Sequence, residues 1–134
     1  MNVLIIVNPV SGNNQHSDAK ELLIKEIRKY TYDYRIYETK KPGDAYERGK
    51  LAVKNGTDKI IAVGGDGTVK EIIHAIAYTN VQLAIVPSGT GNLLAQAFKI
   101  PFELHKAIEV AFTGDTKIID LGKVDNTYFS VIAG

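Results

Sequence analysis

The sequence predicts a three-layer α/β fold, a Rossmann-like parallel sheet with helices on both faces that ends in a short β segment. Short β-branched apolar runs alternate with segments of helical periodicity, the arrangement that builds a sheet between helical layers. Runs such as Leu4-Ile5-Ile6 and Ile60-Ile61-Ala62-Val63 are continuously apolar, as in strands covered on both faces. Polar, glycine-containing loops follow the first, third and fourth of these strands, and a parallel sheet binds ligands beyond its strands' carboxyl ends.

Val3 to Val7 reads as the first strand, ending in the polar loop Asn8-Pro9-Val10-Ser11-Gly12-Asn13-Asn14. From Ser17, an expected N-cap, Ala19, Leu22, Leu23, Ile27 and Tyr30 fall on one helical face. Tyr34 to Glu38 has strand composition and is closed by Thr39-Lys40-Lys41-Pro42-Gly43, where the two lysines read as a solvated loop pair, with contact to lipid phosphates as the lesser alternative. Asp44 starts a helix that runs to about Lys54 and stops at Asn55-Gly56. The third strand, Ile60 to Val63, runs into Gly64-Gly65-Asp66-Gly67-Thr68. Behind that turn Val69, Ile72, Ile73, Ile76 and Ala77 mark a helix to about Tyr78. Gln82 to Val86 is a fourth strand, and Pro87-Ser88-Gly89-Thr90-Gly91-Asn92 feeds a helix through Phe98. A further helix is expected from about Phe102 to Phe112, ending at Gly114. Lys117 to Val124 and Tyr128 to Ile132 then pair as strands around an Asp125-Asn126 turn.

Composition narrows the function classes. The 134 residues fit one domain, with 45% hydrophobic and 23% charged residues. Lys and Arg number 16 against 15 Asp and Glu, so no general charge draws the chain to nucleic acid, and anion binding must be local. The absence of cysteine excludes disulfides and thiolate zinc sites. His16, His74 and His105 lack metal-ligand spacing and read as surface or helix-flank residues. No apolar run approaches the roughly 20 residues of a transmembrane segment. The amino terminus lacks signal-peptide features, so a cytoplasmic protein is expected. Asn55-Gly56-Thr57 reads as a turn.

The glycine turn after strand three carries the chemistry. A turn from a strand into a helix aims unpaired N–H groups and the positive helix end outward, which suits a phosphate. No G-x-x-x-x-G-K-[ST] or G-x-G-x-x-G string occurs, which disfavours a P-loop enzyme and a dinucleotide oxidoreductase. Gly64-Gly65-Asp66-Gly67 could still be only a tight turn and helix cap. An acid inside a phosphate nest needs a reason, and Mg²⁺ bridging Asp66 to phosphates, directly or through water, supplies one. Glu71, one helical turn on, would orient a neighbouring group.

Asn8-Pro9-x-Ser11-Gly12, Gly64-Gly65-Asp66-Gly67-Thr68-x-x-Glu71 and Pro87-x-Gly89-Thr90-x-Asn92, in that order, resemble the catalytic domain of the diacylglycerol kinase and sphingosine kinase family of lipid kinases. The Gly-Gly-Asp-Gly-Thr string is shared with NAD kinases and phosphofructokinase-like folds; the first and third motifs make the resemblance specific. It implies an NAD kinase/diacylglycerol kinase-like fold and transfer of the ATP γ-phosphate to a lipid hydroxyl, diacylglycerol foremost, with Mg²⁺. It also implies that Asn8, Ser11, Thr39, Gly65, Gly67, Thr68, Gly89 and Thr90 line the nucleotide. Asp66 is then the central acid, and Glu71 and Asn92 support the phosphate loops.

Leu93-Leu94 departs from the bacterial pattern of an aspartate and an aromatic, which removes one carboxylate from the magnesium-linked network; Asp120 matches another of its acids. In the family, a segment like Phe129 to Gly134 leads into a mostly β domain that supplies a proposed general base. That domain is expected to be absent here, leaving residues 1–134 as a nucleotide-binding domain that catalyses poorly alone. The expected partner is a lipid at a membrane surface, met by peripheral association, with a homodimer left open. The rivals are an NAD kinase-like enzyme, disfavoured because the third loop reads Gly-Thr-Gly-Asn, and a non-catalytic nucleotide-binding module.

Overall fold

The computed structural model describes residues 1–9, 16–88, 92–120 and 128–134. In chain order the elements are β1 (Val3–Val7), α1 (His16–Ile27), β2 (Tyr34–Glu38), α2 (Asp44–Lys54), β3 (Lys59–Gly64) and α3 (Asp66–Ile76). They continue with β4 (Gln82–Pro87), α4 (Leu93–Ala97), α5 (Leu104–Thr113), β5 (Asp115–Asp120) and β6 (Tyr128–Ala133). Among the described residues the strands form one sheet in the order β2-β1-β3-β4-β6-β5. β2, β1, β3, β4 and β6 run parallel, while β5 pairs antiparallel with β6 from Asp115 opposite Ala133 to Asp120 opposite Tyr128. The expected parallel sheet and closing β pair are both present; the Asp125-Asn126 turn lies outside the described residues.

Continuous apolar runs become the central strands. Val3 to Ile6, Ile60 to Ala62 and Leu83 to Val86 are all buried, because helices cover both sides of the sheet. α2 packs on α3, and α1 packs on α5. The edges differ: β2 is half-buried, and β5 is largely exposed, with Ile118 at 72%. At the amino end of β3, Lys59 is buried and donates to the Ala111 carbonyl near the end of α5, its ammonium 4.6 Å from the Phe112 ring centroid. Burial holds the Lys59 pKa below its ordinary value of 10.5.

Several boundaries shift. α1 starts at His16 rather than after Ser17, so Ser17 lies in the first turn and is not the N-cap. Leu23 and Ile27 of that helix are buried, but Leu22 is 54% exposed because α1 covers the sheet edge with a narrower stripe than the periodicity implies. Tyr30 lies beyond the helix and stacks on Phe112 at 4.9 Å. α5 starts at Leu104, leaving Phe102 exposed in the preceding turn.

The strand order fixes where a ligand can sit. From β1 the chain moves outward to β2, then returns past β1 to β3 and continues to β4. α1 and α3, which follow β1 and β3, therefore cover opposite faces of the sheet, and the carboxyl ends of these two adjacent strands mark the switch point of a doubly wound sheet.

Candidate functional site

The loops at this switch point are joined by polar contacts. Asn8 follows β1, and its amide Nδ2 donates to Thr68 Oγ1 at 3.1 Å, joining the first loop to the first turn of α3. Gly64 lies beneath this contact. A Cβ there would stand 3.1 Å from Thr68 Cβ and Oγ1 and 3.4 Å from Asn8 Cβ, so a side chain at this position would fit only if Thr68 gave way by a few tenths of an ångström. Thr39 ties the loop after β2 to the same edge through its N–H, 2.8 Å from the Val7 carbonyl.

α3 opens at Asp66 behind Gly65, with no side chain capping its first turn. The N–H groups of Asp66, Gly67 and Thr68 have no hydrogen-bond acceptor among the described residues, and the helix dipole adds positive potential to them. Gly65 has extended backbone (φ −94°, ψ −169°), and neither it nor Gly67 has positive φ. A Cβ at either would meet nothing within 4 Å. Packing and backbone geometry therefore do not require these two glycines, and the space beside them is open.

The Asp66 carboxylate turns away from its own helix. Its Oδ2 accepts from Leu93 N and its Oδ1 from Leu94 N, both at 3.0 Å, which satisfies two of the first amides of α4. Those two hydrogen bonds, ahead of the attraction of Lys70, hold its pKa below the ordinary 3.8. Asn92 completes that start: its Oδ1 accepts from Ala95 N at 2.9 Å and its Nδ2 donates to the Gly64 carbonyl at 3.0 Å, while the side chain is buried. Asp66 and Asn92 thus lock the beginning of α4 onto the glycine turn. The unexplained acid of the sequence has a structural partner, the amino end of a different helix.

Glu71 does the same for α2. Its Oε1 accepts from Gly43 N at 3.1 Å and Tyr46 N at 3.2 Å, capping a helix whose own N-cap residue, Gly43 at φ +94°, has no side chain to do so. Asp44 supports the same loop from the other side, accepting from Lys40 N at 2.6 Å and Lys41 N at 3.2 Å. The hydrogen bond from Lys40 is the chief cause of a pKa below 3.8.

Between these loops lies a cleft of about 300 Å³ lined by Asn8, Pro9, Thr39, Lys40, Lys41, Pro42, Ala45, Thr68 and Glu71. Four expected residues, Asn8, Thr39, Thr68 and Glu71, line it together. Gly65, Gly67, Asp66 and Asn92 stand beside it on the turn and at the start of α4, while Ser11, Gly89 and Thr90 lie outside the described residues. Lys40 and Lys41, read from the sequence as a solvated pair, line the cleft although their side chains are exposed. Asp44 was missed as a support; the only sign of it was an acid opening the helix after the loop.

Asp120 is not brought to Asp66. Register puts Asp120 level with Tyr128, two residues before Ser130, which pairs with Gln82 at the amino end of β4. Asp66 lies beyond the carboxyl end of β3. Roughly 20 Å or more of strand separates the two acids, so they do not share one ion. No group of three or more His, Cys, Asp or Glu able to hold a metal occurs among the described residues.

Comparison with known proteins gives a consistent family. Residues 2–124 match the diacylglycerol kinase catalytic domain. The chain is 36% identical over 132 residues to a diacylglycerol kinase of Staphylococcus aureus (strain MRSA252), covering 96% of this chain and 42% of the relative. It is 34% identical over 131 residues to one of Staphylococcus epidermidis (strain ATCC 12228), again covering 96% and 42%. The structure of a diacylglycerol kinase from Bacillus anthracis str. Sterne superposes with a TM-score of 0.79 at 29% identity, over 96% of this chain and 45% of that one. The chain thus spans less than half the length of the relatives it matches.

Proposed function

This chain belongs to the diacylglycerol kinase catalytic-domain family, and from that premise we propose that it is the nucleotide-binding part of a kinase moving the ATP γ-phosphate to the hydroxyl of diacylglycerol. The observation that carries the reading is the turn at Asp66, Gly67 and Thr68: three open amides at a helix amino terminus, beside a switch-point cleft, with two glycines keeping the approach clear. A polyphosphate fits that chemistry. Asn8, Thr39 and Thr68 add polar groups from three loops, and the family pattern adds Ser11, Gly89 and Thr90.

The donor set at Asp66 suits Mg²⁺ held chiefly by nucleotide phosphates. Each carboxylate oxygen accepts one N–H and keeps a further lone pair, and Mg²⁺ characteristically takes one or two carboxylates with phosphates and water. Such an ion neutralises charge on the phosphates. This chain's residues hold the nucleotide and fix its orientation, which is most of what phosphoryl transfer asks of a protein. Positioning the acceptor hydroxyl and taking its proton are assigned to the β domain expected of the family. In this reading the lipid acceptor is met at a membrane surface from the cytoplasm; among the described residues no helix is long and apolar enough to cross a membrane.

The test offers Mg²⁺ and γ-labelled ATP with diacylglycerol micelles and NAD side by side. The expected result is saturable Mg-ATP binding, label in lipid and none in NAD, at a rate well below the roughly 1–100 per second usual for kinases. Label in NAD alone, or no nucleotide binding, overturns the reading.

A further inference from the structure

The geometry points to Lys40 and Lys41 as the cationic clamp on the nucleotide's polyphosphate, a binding role resting on the proposed function. The chain lacks the lysine of a P-loop, yet phosphoryl transfer places negative charge on oxygens that something must neutralise. Of the nine residues lining the cleft, these two are its only cationic side chains. Its one acid, Glu71, has its Oε1 engaged by two backbone amides.

The loop carrying the lysines is built to offer side chains rather than backbone. Every N–H it possesses is already bound: Thr39 to Val7, Lys40 and Lys41 to Asp44, and Gly43 to Glu71, while Pro42 has none. Asp44 is braced by a 3.4 Å hydrogen bond from Tyr37 Oη, and the Tyr37 ring has the Arg48 guanidinium 3.8 Å from its centroid. The phosphate turn is the opposite case, with open amides and no cation among its first three helical residues. Backbone dipoles from α3 on one side and ammonium groups from the fixed loop on the other together suit an anion with several charges. Asp44 also attracts Lys41 electrostatically, so the lysine is drawn to the loop without being neutralised in a salt bridge among the described residues.

The experiment measures ATP, AMP and adenosine binding by calorimetry at low salt for the wild-type chain, Lys40→Gln/Lys41→Gln and Lys40→Arg/Lys41→Arg. Both side chains are exposed, so circular dichroism should be unchanged. The glutamine pair should lose about ten-fold or more in ATP affinity and little in adenosine affinity, with a shallower salt dependence, and the arginine pair should restore ATP binding. ATP binding equal to wild type in the glutamine pair overturns the clamp while leaving the nucleotide site standing. Absence of ATP binding in the wild-type chain overturns both. A parallel arm with phosphatidylglycerol vesicles separates the other source of phosphate: vesicle binding lost by the glutamine pair with ATP affinity kept would make the lysines a membrane contact and overturn the clamp.

Discussion

Gly67 and Asp66 adjoin in sequence and make opposite demands on the fold. Gly67 has helical geometry and open space where a Cβ would stand, so Gly67→Ala should leave stability unchanged or raise it by up to about 1 kcal/mol. The same methyl group projects into the approach to the open amides and should sharply weaken Mg-ATP binding. Thermal melts and nucleotide titration on one preparation check both halves, and ATP affinity equal to wild type would remove the phosphate from that turn. Asp66→Asn is the complementary change. Asparagine offers one acceptor oxygen where Leu93 and Leu94 need two, so the start of α4 should loosen and the melting temperature fall. The Asp66 pKa lies below 3.8, so its charged form supplies stability in full above that value and loses it as pH falls through the lower folded value. The melting difference between wild type and Asp66→Asn should therefore be full at neutral pH and vanish in acid well below pH 3.8; a difference that persists there would rule out the charged cap.

Among the elements, α2 is the one most dependent on its neighbours. Its capping group, Glu71, belongs to α3, so the helix behind the glycine turn and the loop after β2 are mechanically joined. Both bonds go to one oxygen, which glutamine retains. Glu71→Gln should keep amide protection at Gly43 and Tyr46 and nearly full nucleotide affinity, whereas Glu71→Ala should lose both, as read by hydrogen exchange and titration. Equal losses in the two variants would give Glu71 a role in its charge. The α2–α3 contact itself is set by Gly49, where a Cβ would approach Ala75 Cβ to 2.7 Å. Gly49→Ala should thus destabilise by about 1–3 kcal/mol despite its helix propensity. Adding Ala75→Gly should recover part of that loss in a double-mutant cycle; additive losses would contradict the contact. Sequence periodicity located all these helices, since Val69, Ile72, Ile73 and Ile76 do form the buried face of α3. It could not show capping between helices, because Glu71 and Gly43 are 28 residues apart and meet only when both helices pack.

For the whole molecule, the strand order turns four separate loops into one site. The three loops whose composition marked them in the sequence are joined in the structure: Asn8 reaches Thr68, and Asn92 reaches Gly64. Their candidacy as ligand loops was legible because polar and glycine residues interrupt otherwise apolar strand ends, and little but a ligand or a tight turn explains that pattern. Asp120 shows the limit of such reading. Its match to a family motif carries no information about register, and antiparallel pairing with Tyr128 sends it to the far end of the sheet. The amino-acid sequence by itself determined the α/β class, the buried central strands and the glycine turn between β3 and α3, since each follows from local periodicity, β-branching and glycine placement. Only the tertiary structure decided that Asp66 caps α4, that Glu71 caps α2 and that Lys40 and Lys41 face the same cleft as Thr68. Those depend on which strand lies beside which, a choice made by the packing of the whole sheet.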